Sequence, residues 1–235
     1  MVGVPYLAPE PAAGAKIRTP ERLDGVMATR LGLALGLPVK LVQMDKSRAA
    51  AALEKREVDL LIMDRVTGVE QPPIANATVV PTGYAARPKA IIRSDTLLSE
   101  WKDVKGLTVC MSTAAFQAQS LATRWGASVR SYRVPSDALV AVREGNCDIG
   151  LVDDVAWTPL MKFPEWKKFS STLDAQGQRS ERVWVFQDDP ATQAWMSAAM
   201  DEWRRDGVIQ SMIDKWARDV AFDVYLDQEV PDCHG

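Results

Sequence analysis

Residues 136–153, SDALVAVREGNCDIGLVD, repeat the pattern of residues 47–64, SRAAAALEKREVDLLIMD, without a gap at an offset of 89. Ser47 matches Ser136, Leu53 matches Val142, Asp59 matches Asp148 and Asp64 matches Asp153. Each copy opens on a Ser, runs through a helix-forming stretch to a charged turn and an Asp, and then enters a short apolar run that stops on a second Asp. Ser is a favoured N-cap because its hydroxyl satisfies an orphan backbone N–H. Short, unbroken apolar runs suit strands covered on both faces, as in parallel sheets. A pattern that spans a helix and a strand twice predicts two similar α/β halves.

Working outward, the rest of the chain fits around these two copies. VGVPY reads as a first strand, Thr19-Pro20 opens a helix that runs to Gly36, LPVKLVQ is a second strand, and VDLLIM a third. The segment from Asp64 to Arg87 reads as irregular, broken by Gly68, Pro72, Pro73, Pro81 and Gly83. After the short strand AIIR the pattern restarts: the strand at LTVCM, the helix AAFQAQSLATRW, the strand SVRSYRV, then the second copy of the repeat. ERVWVF is a late strand, Asp189-Pro190 caps and opens a helix, and VIQSMIDKWARD is the last one. Two β-α-β-α-β halves imply parallel sheets with right-handed crossovers. The expected division is residues 1–89 with 187–235 in a first lobe and 94–182 in a second, linked by hinge strands near 90–93 and 183–186. A groove between two lobes is a natural ligand site.

Composition narrows the class of function. The chain has 235 residues, 47% of them hydrophobic, and a formal net charge of −3. That is enough to bury a sizeable core, and no stretch approaches the ~18 uninterrupted apolar residues of a spanning helix. No basic stripe marks a nucleic-acid partner. Cys110, Cys147 and Cys233 have no C-x-x-C spacing, and the single His234 sits beside the last of them, so a Cys/His zinc site is not expected. Cys110, inside LTVCM, reads as a small buried hydrophobe. Cys147 and Cys233 either pair in an oxidising compartment or remain thiols. Met1 stands directly on the first strand, which we read as a chain whose targeting segment has been removed.

The order and spacing of AALEKREVDLLI, WKDVKGLTV, LVAVREGNCDIGLVDD and DGVIQSMIDKW resemble the periplasmic solute-binding proteins of ABC importers, of the extracellular family 3 type typified by amino-acid binders. The resemblance covers nearly the whole chain. It implies a type II periplasmic-binding fold, a two-lobed flytrap, and a small polar, carboxylated solute held between the lobes. It also implies a periplasmic location, a monomer, no catalysis and a membrane permease as partner. Asp153 stands where the family's carboxylate holds a ligand ammonium, with Asp154 beside it. Ser112 and Thr113 stand where the family's strand-to-helix turn receives a ligand carboxylate. Asp64 ends the matching strand of the first half. Tyr6 and Trp157, at strand ends, offer an apolar wall.

Two departures qualify that resemblance. The family's T-x-x-R clamp is replaced by TGVEQ, with Gln71 near the place of the Arg. Lys46 stands where the family tends to put an aromatic residue. Arg65, next to Asp64, is the nearest substitute for the clamp, and Lys46 is not its equivalent, because Arg and Lys differ in fork geometry. These departures leave room for an accessory binder of a quinone cofactor such as pyrroloquinoline quinone, or a partner of a periplasmic quinoprotein dehydrogenase. An enzyme on the same scaffold, such as a dehydratase using Asp64 and Asp153 as acid and base, is a third expectation.

Overall fold

The computed structural model describes residues 1–7, 19, 22–68, 74–113, 115–133 and 135–227. Contacts divide the chain into two units. The first holds the N-terminal strand, Arg22–Ala86 and Gln178–Met212; the second holds Arg87–Gly177 and residues 213–227.

In the first unit β1 (Val2–Val4), α1 (Asp24–Leu35), β2 (Leu41–Gln43), α2 (Lys46–Glu54) and β3 (Leu60–Val66) form the expected β-α-β-α-β series. β4 (Ala77–Ala86) and β9 (Ser180–Gln187) complete a five-stranded sheet in the order β2-β1-β3-β9-β4. β1 is parallel to both β2 and β3, whereas β9 runs antiparallel to β3 and to β4. Alternate residues of β3 and β9 serve opposite faces. Leu61, Val183 and Val185 pack with Ala49, Ala52 and Leu53 of α2. On the other face the buried Trp184 donates from Nε1 to Met200 Sδ of α6 (Pro190–Arg205).

The second unit carries β5 (Pro88–Ile92), β6 (Thr108–Ser112), α3 (Phe116–Arg124), β7 (Ser128–Tyr132), α4 (Pro135–Arg143), β8 (Ile149–Asp153) and α5 (Asp154–Met161). Its sheet has the order β5-β8-β6-β7, with β6 parallel to both β7 and β8 and β5 antiparallel at the edge. Ala90, Ile92, Val109, Met111, Ile149 and Leu151 face a core closed by α3. Ile91 and Cys110 face the opposite core, built from α4, Leu160, Trp166 and residues Ala217, Val220, Ala221 and Val224 of α7 (Val208–Asp227).

The repeat is a physical one. Ala49, Ala52 and Leu53 are buried in α2 as Ala138, Ala141 and Val142 are in α4. The turn after each helix uses a left-handed residue at the matching position, Arg56 (φ 57°) in one and Gly145 (φ 77°) in the other. The Asp that precedes each strand ties it to its neighbour. Asp59 N–H donates to Met1 O, and Asp148 N–H donates to Thr108 O while its carboxylate accepts from Thr108 N–H.

Several expectations are corrected. Ser47 is not the N-cap of α2: Asp45 is, and Ser47 lies in the first turn. Thr19 does not open α1, which starts at Asp24; its N–H and hydroxyl donate to Asp223 of α7, at 2.9 and 2.7 Å. The stretch read as irregular contains the ten-residue β4, whose register shifts between Pro81 and Ala85, so the breakers mark an irregularity in a strand and not its absence. Ala90–Ile92 and Val183–Phe186 are not links between units, because both are paired inside their own sheets. The chain instead crosses after Ala86 and returns after Gly177, and α7 begins in the first unit and continues from Ile213 in the second.

Cys110 is not an unpaired hydrophobe. It forms a disulfide with Cys147, the Cα atoms 5.9 Å apart. Cys110 lies in β6 and Cys147 just ahead of the adjacent β8, so sheet pairing brings together residues that are 37 apart in sequence. Cys147 is thereby committed, and Cys233 lies outside the described residues.

Candidate ligand-binding site

In an open α/β sheet, ligands bind beyond the carboxyl ends of the strands, where successive crossovers leave in opposite directions. Each unit has one such point. In the second unit it lies between β6 and β8: α3 leads to β7 on one side, and α4 leads from β7 back across to β8. The register of β6 against β8 is set by the pairs Val109↔Ile149 and Cys110↔Gly150. Continuing that register puts Thr113 level with Asp153.

Ser112 ends β6 and is half-buried; Thr113 follows and is exposed. The Thr113 N–H donates to Tyr132 O at 2.8 Å and the Ala115 N–H to Ser112 O at 3.0 Å. Those two amides serve the protein, and the turn leads into the first turn of α3. Helix N-termini favour anions. Asp153 ends β8, half-buried and opposite Pro88, and makes no capping bond to α5. Asp154 serves the backbone instead. Its Oδ1 accepts from Arg87 N–H at 3.1 Å, while its own N–H donates to Arg87 O at 2.8 Å. The paired acids of the sequence thus differ: Asp153 is the last residue of β8, and Asp154 fastens the backbone where the chain enters this unit.

Trp157 is half-buried, and its ring is covered by Lys89, whose Nζ lies 4.3 Å from the ring centroid. The expected apolar wall is therefore capped by a cation on at least one face.

The first unit's switch point lies between β1 and β3. The register Gly3↔Leu61 puts Tyr6, half-buried, level with Asp64. Asp64 does not stand alone there. It pairs directly across the strands with Arg182, and Arg182 Nη1 donates to its Oδ1. From the segment before α1, Arg22 donates Nη1 to Oδ2 and Nη2 to Oδ1, each at 3.0 Å. Asp24 closes the cluster: its Oδ1 accepts from Arg182 Nε at 3.1 Å, and its Oδ2 lies 2.6 Å from Arg22 Nε. That last contact is ionic only, because its angle does not make a hydrogen bond. Arg182 also lies over the Tyr84 ring, 5.1 Å from its centroid. The four charged side chains are 1–12% exposed. Burial pushes the Asp64 carboxyl up, but Arg182 and then Arg22 outweigh it and hold the group below the usual carboxylate range.

Arg65 faces the other side of the sheet and is bound to its cross-strand partner Glu181, at 2.6 Å. Lys46, the first residue of α2, is exposed. Gln71 lies outside the described residues. Sequence reading missed Arg22, Asp24, Arg182 and Tyr84 altogether. The one available signal was the charge pattern Asp64-Arg65 against Glu181-Arg182, which becomes complementary only once β3 and β9 are paired. Among the described residues no His/Cys/Asp/Glu group is arranged to hold a metal ion.

With these features in place, the class of fold is plain: two α/β units of the type II periplasmic-binding fold. A binding component of an ABC transporter from Wolinella succinogenes, solved with lysine, matches with a TM-score of 0.60 at 18% identity, over 92% of this chain and 94% of that one. A mutant of ArgBP from T. maritima matches at 0.56 and 18% identity over 92% and 93%. An ancestral amino acid-binding protein described as a precursor of cyclohexadienyl dehydratase matches at 0.57 and 16% identity over 92% and 93%. No protein-family profile matches the chain, and neither does any curated protein sequence.

Proposed function

We propose that this protein binds a small polar, carboxylated solute and delivers it to the membrane permease of an ABC importer. The observation that carries the reading is the placement of the Ser112–Thr113 turn and Asp153 at the carboxyl ends of neighbouring parallel strands, β6 and β8. Hydroxyls at a helix N-terminus receive a carboxylate, and an ionised acid at the adjacent strand end receives an ammonium. An α-amino acid or a close relative presents both groups. Solved structures of the same fold include an ancestral amino acid-binding protein and a binding component of an ABC transporter complexed with lysine.

Binding is favoured over catalysis because acid–base work needs a group poised near neutral pH. Asp64, the second acid of the expected catalytic pair, is held ionised by two arginines. The Cys110–Cys147 disulfide supports an oxidising compartment, the periplasm. No described helix is long and apolar enough to cross a membrane.

The test begins with a thermal-shift survey of lysine, arginine, glutamate, small dicarboxylates and pyrroloquinoline quinone. An amino acid or dicarboxylate should raise Tm. Calorimetry of that compound against Asp153→Asn should then show at least a ten-fold loss of affinity, about 1.4 kcal/mol. Unchanged affinity removes Asp153 from the site. A visible spectral change with the quinone, and no shift with the others, transfers the protein to the accessory-binder reading.

A further inference from the structure

The geometry points to a second anion site, in the first unit, which the chain fills with its own carboxylate: we propose that Arg22 and Arg182 form a two-arginine carboxylate receptor at the β1–β3 switch point, and that Asp64 is the specificity-determining residue that occupies it. Arg22 meets Asp64 through two parallel N–H···O bonds of 3.0 Å, the fork geometry by which a guanidinium grips a free carboxylate. Arg182 adds a third donor to Oδ1 and is itself fixed by Tyr84 beneath its guanidinium and by Asp24 at its Nε. Every component of a carboxylate-binding pocket is therefore present and oriented by groups other than Asp64. Asp24 holds both arginines from behind, and the Thr82 hydroxyl, donating to Arg182 O, fixes the backbone of β9.

The occupant arrives from β3, the strand whose carboxyl end faces the ligand region in this architecture. Among the described residues, the two arginines of the cluster are matched by two aspartates. The consequence for substrate class, which rests on the solute-binding reading above, is that this cluster presents no uncompensated guanidinium to a solute. An acid group brought to this cluster gains nothing from Arg22 or Arg182 while Asp64 is in place.

Removing the built-in carboxylate should open the receptor to a small anion from solution. Thermal unfolding of Asp64→Ala is measured in formate and in chloride at equal ionic strength, beside the native protein. The variant should be destabilised in chloride, and 100 mM formate should raise its Tm by at least about 3 °C more than it raises that of the native protein. Adding Arg182→Leu to the variant should abolish the difference. An equal response of the variant and the native protein to formate overturns the receptor. Should Asp64→Ala not fold in chloride, the readout becomes soluble yield on refolding: a higher yield in formate supports the receptor, and equal or negligible yields in both salts overturn it. Formate is not offered as the solute, so this result is independent of whether the second unit binds an amino acid.

Discussion

Asp64 and Asp153 hold matching positions in two similar units, yet only Asp153 ends its strand, since β3 runs on to Val66, and their surroundings differ. Asp153 terminates β8 beside the Ser112–Thr113 turn, whereas Asp64 is gripped by Arg22 and Arg182. Because the Asp64 carboxyl is held below its usual range in the folded protein, the unfolded chain binds its proton more tightly. The stability it contributes is therefore present above the unfolded value of about 3.9 and is lost as pH falls through the folded one. Chemical denaturation at steps from about pH 5 down to pH 3 should show the native protein losing stability more steeply than Asp64→Asn; parallel slopes would contradict the ion cluster. The acid that follows each apolar run was legible in the sequence because the repeat marks it; it ends β8 as expected, but β3 continues past Asp64 to Val66, paired with β9. The partners of Asp64 were not legible, since Arg22 and Arg182 lie 42 and 118 residues from it and reach it only through strand pairing and the approach to α1.

At the scale of the element, the helix–turn–strand repeat succeeded because each of its parts has a local cause. An alanine-rich or apolar helix face, a left-handed turn residue, an Asp bonded to the next strand and an apolar run recur in both units. The turn separates them chemically: Gly145 adopts φ 77° without a Cβ penalty, whereas Arg56 adopts φ 57° with one. Arg56→Gly should therefore stabilise the first unit by roughly 0.5–1 kcal/mol and Gly145→Arg should destabilise the second by a similar amount, measured as shifts in denaturation midpoint. Elements whose causes are non-local were read less well. β4 hides behind Pro81 and Gly83, because an antiparallel partner supplied by β9, far along the chain, stabilises it. The start of α1 was misplaced because Thr19, which resembles an N-cap, instead donates to Asp223 of α7.

For the whole molecule, the two units are stabilised by different means. The second has a covalent link between β6 and the entrance to β8, closing a loop of 37 residues in its core. Such a loop constrains the unfolded state by an amount on the order of 4 kcal/mol. Scanning calorimetry with and without a reductant strong enough to open the bond should lower the transition of the second unit and leave that of the first in place. A reductant that shifts both transitions equally would mean that the units melt as one body. The division into two halves was visible in the sequence, but its borders were not, because an apolar strand looks the same whether it links two sheets or lies inside one. α7 is the element on which this matters most: it begins in one unit, and Ala217, Val220, Ala221 and Val224 finish the core of the other. A gene fragment encoding only residues 87–177 would thus yield a body with an open flank, and supplying the carboxy-terminal helix as a separate peptide should be what makes that fragment hold together.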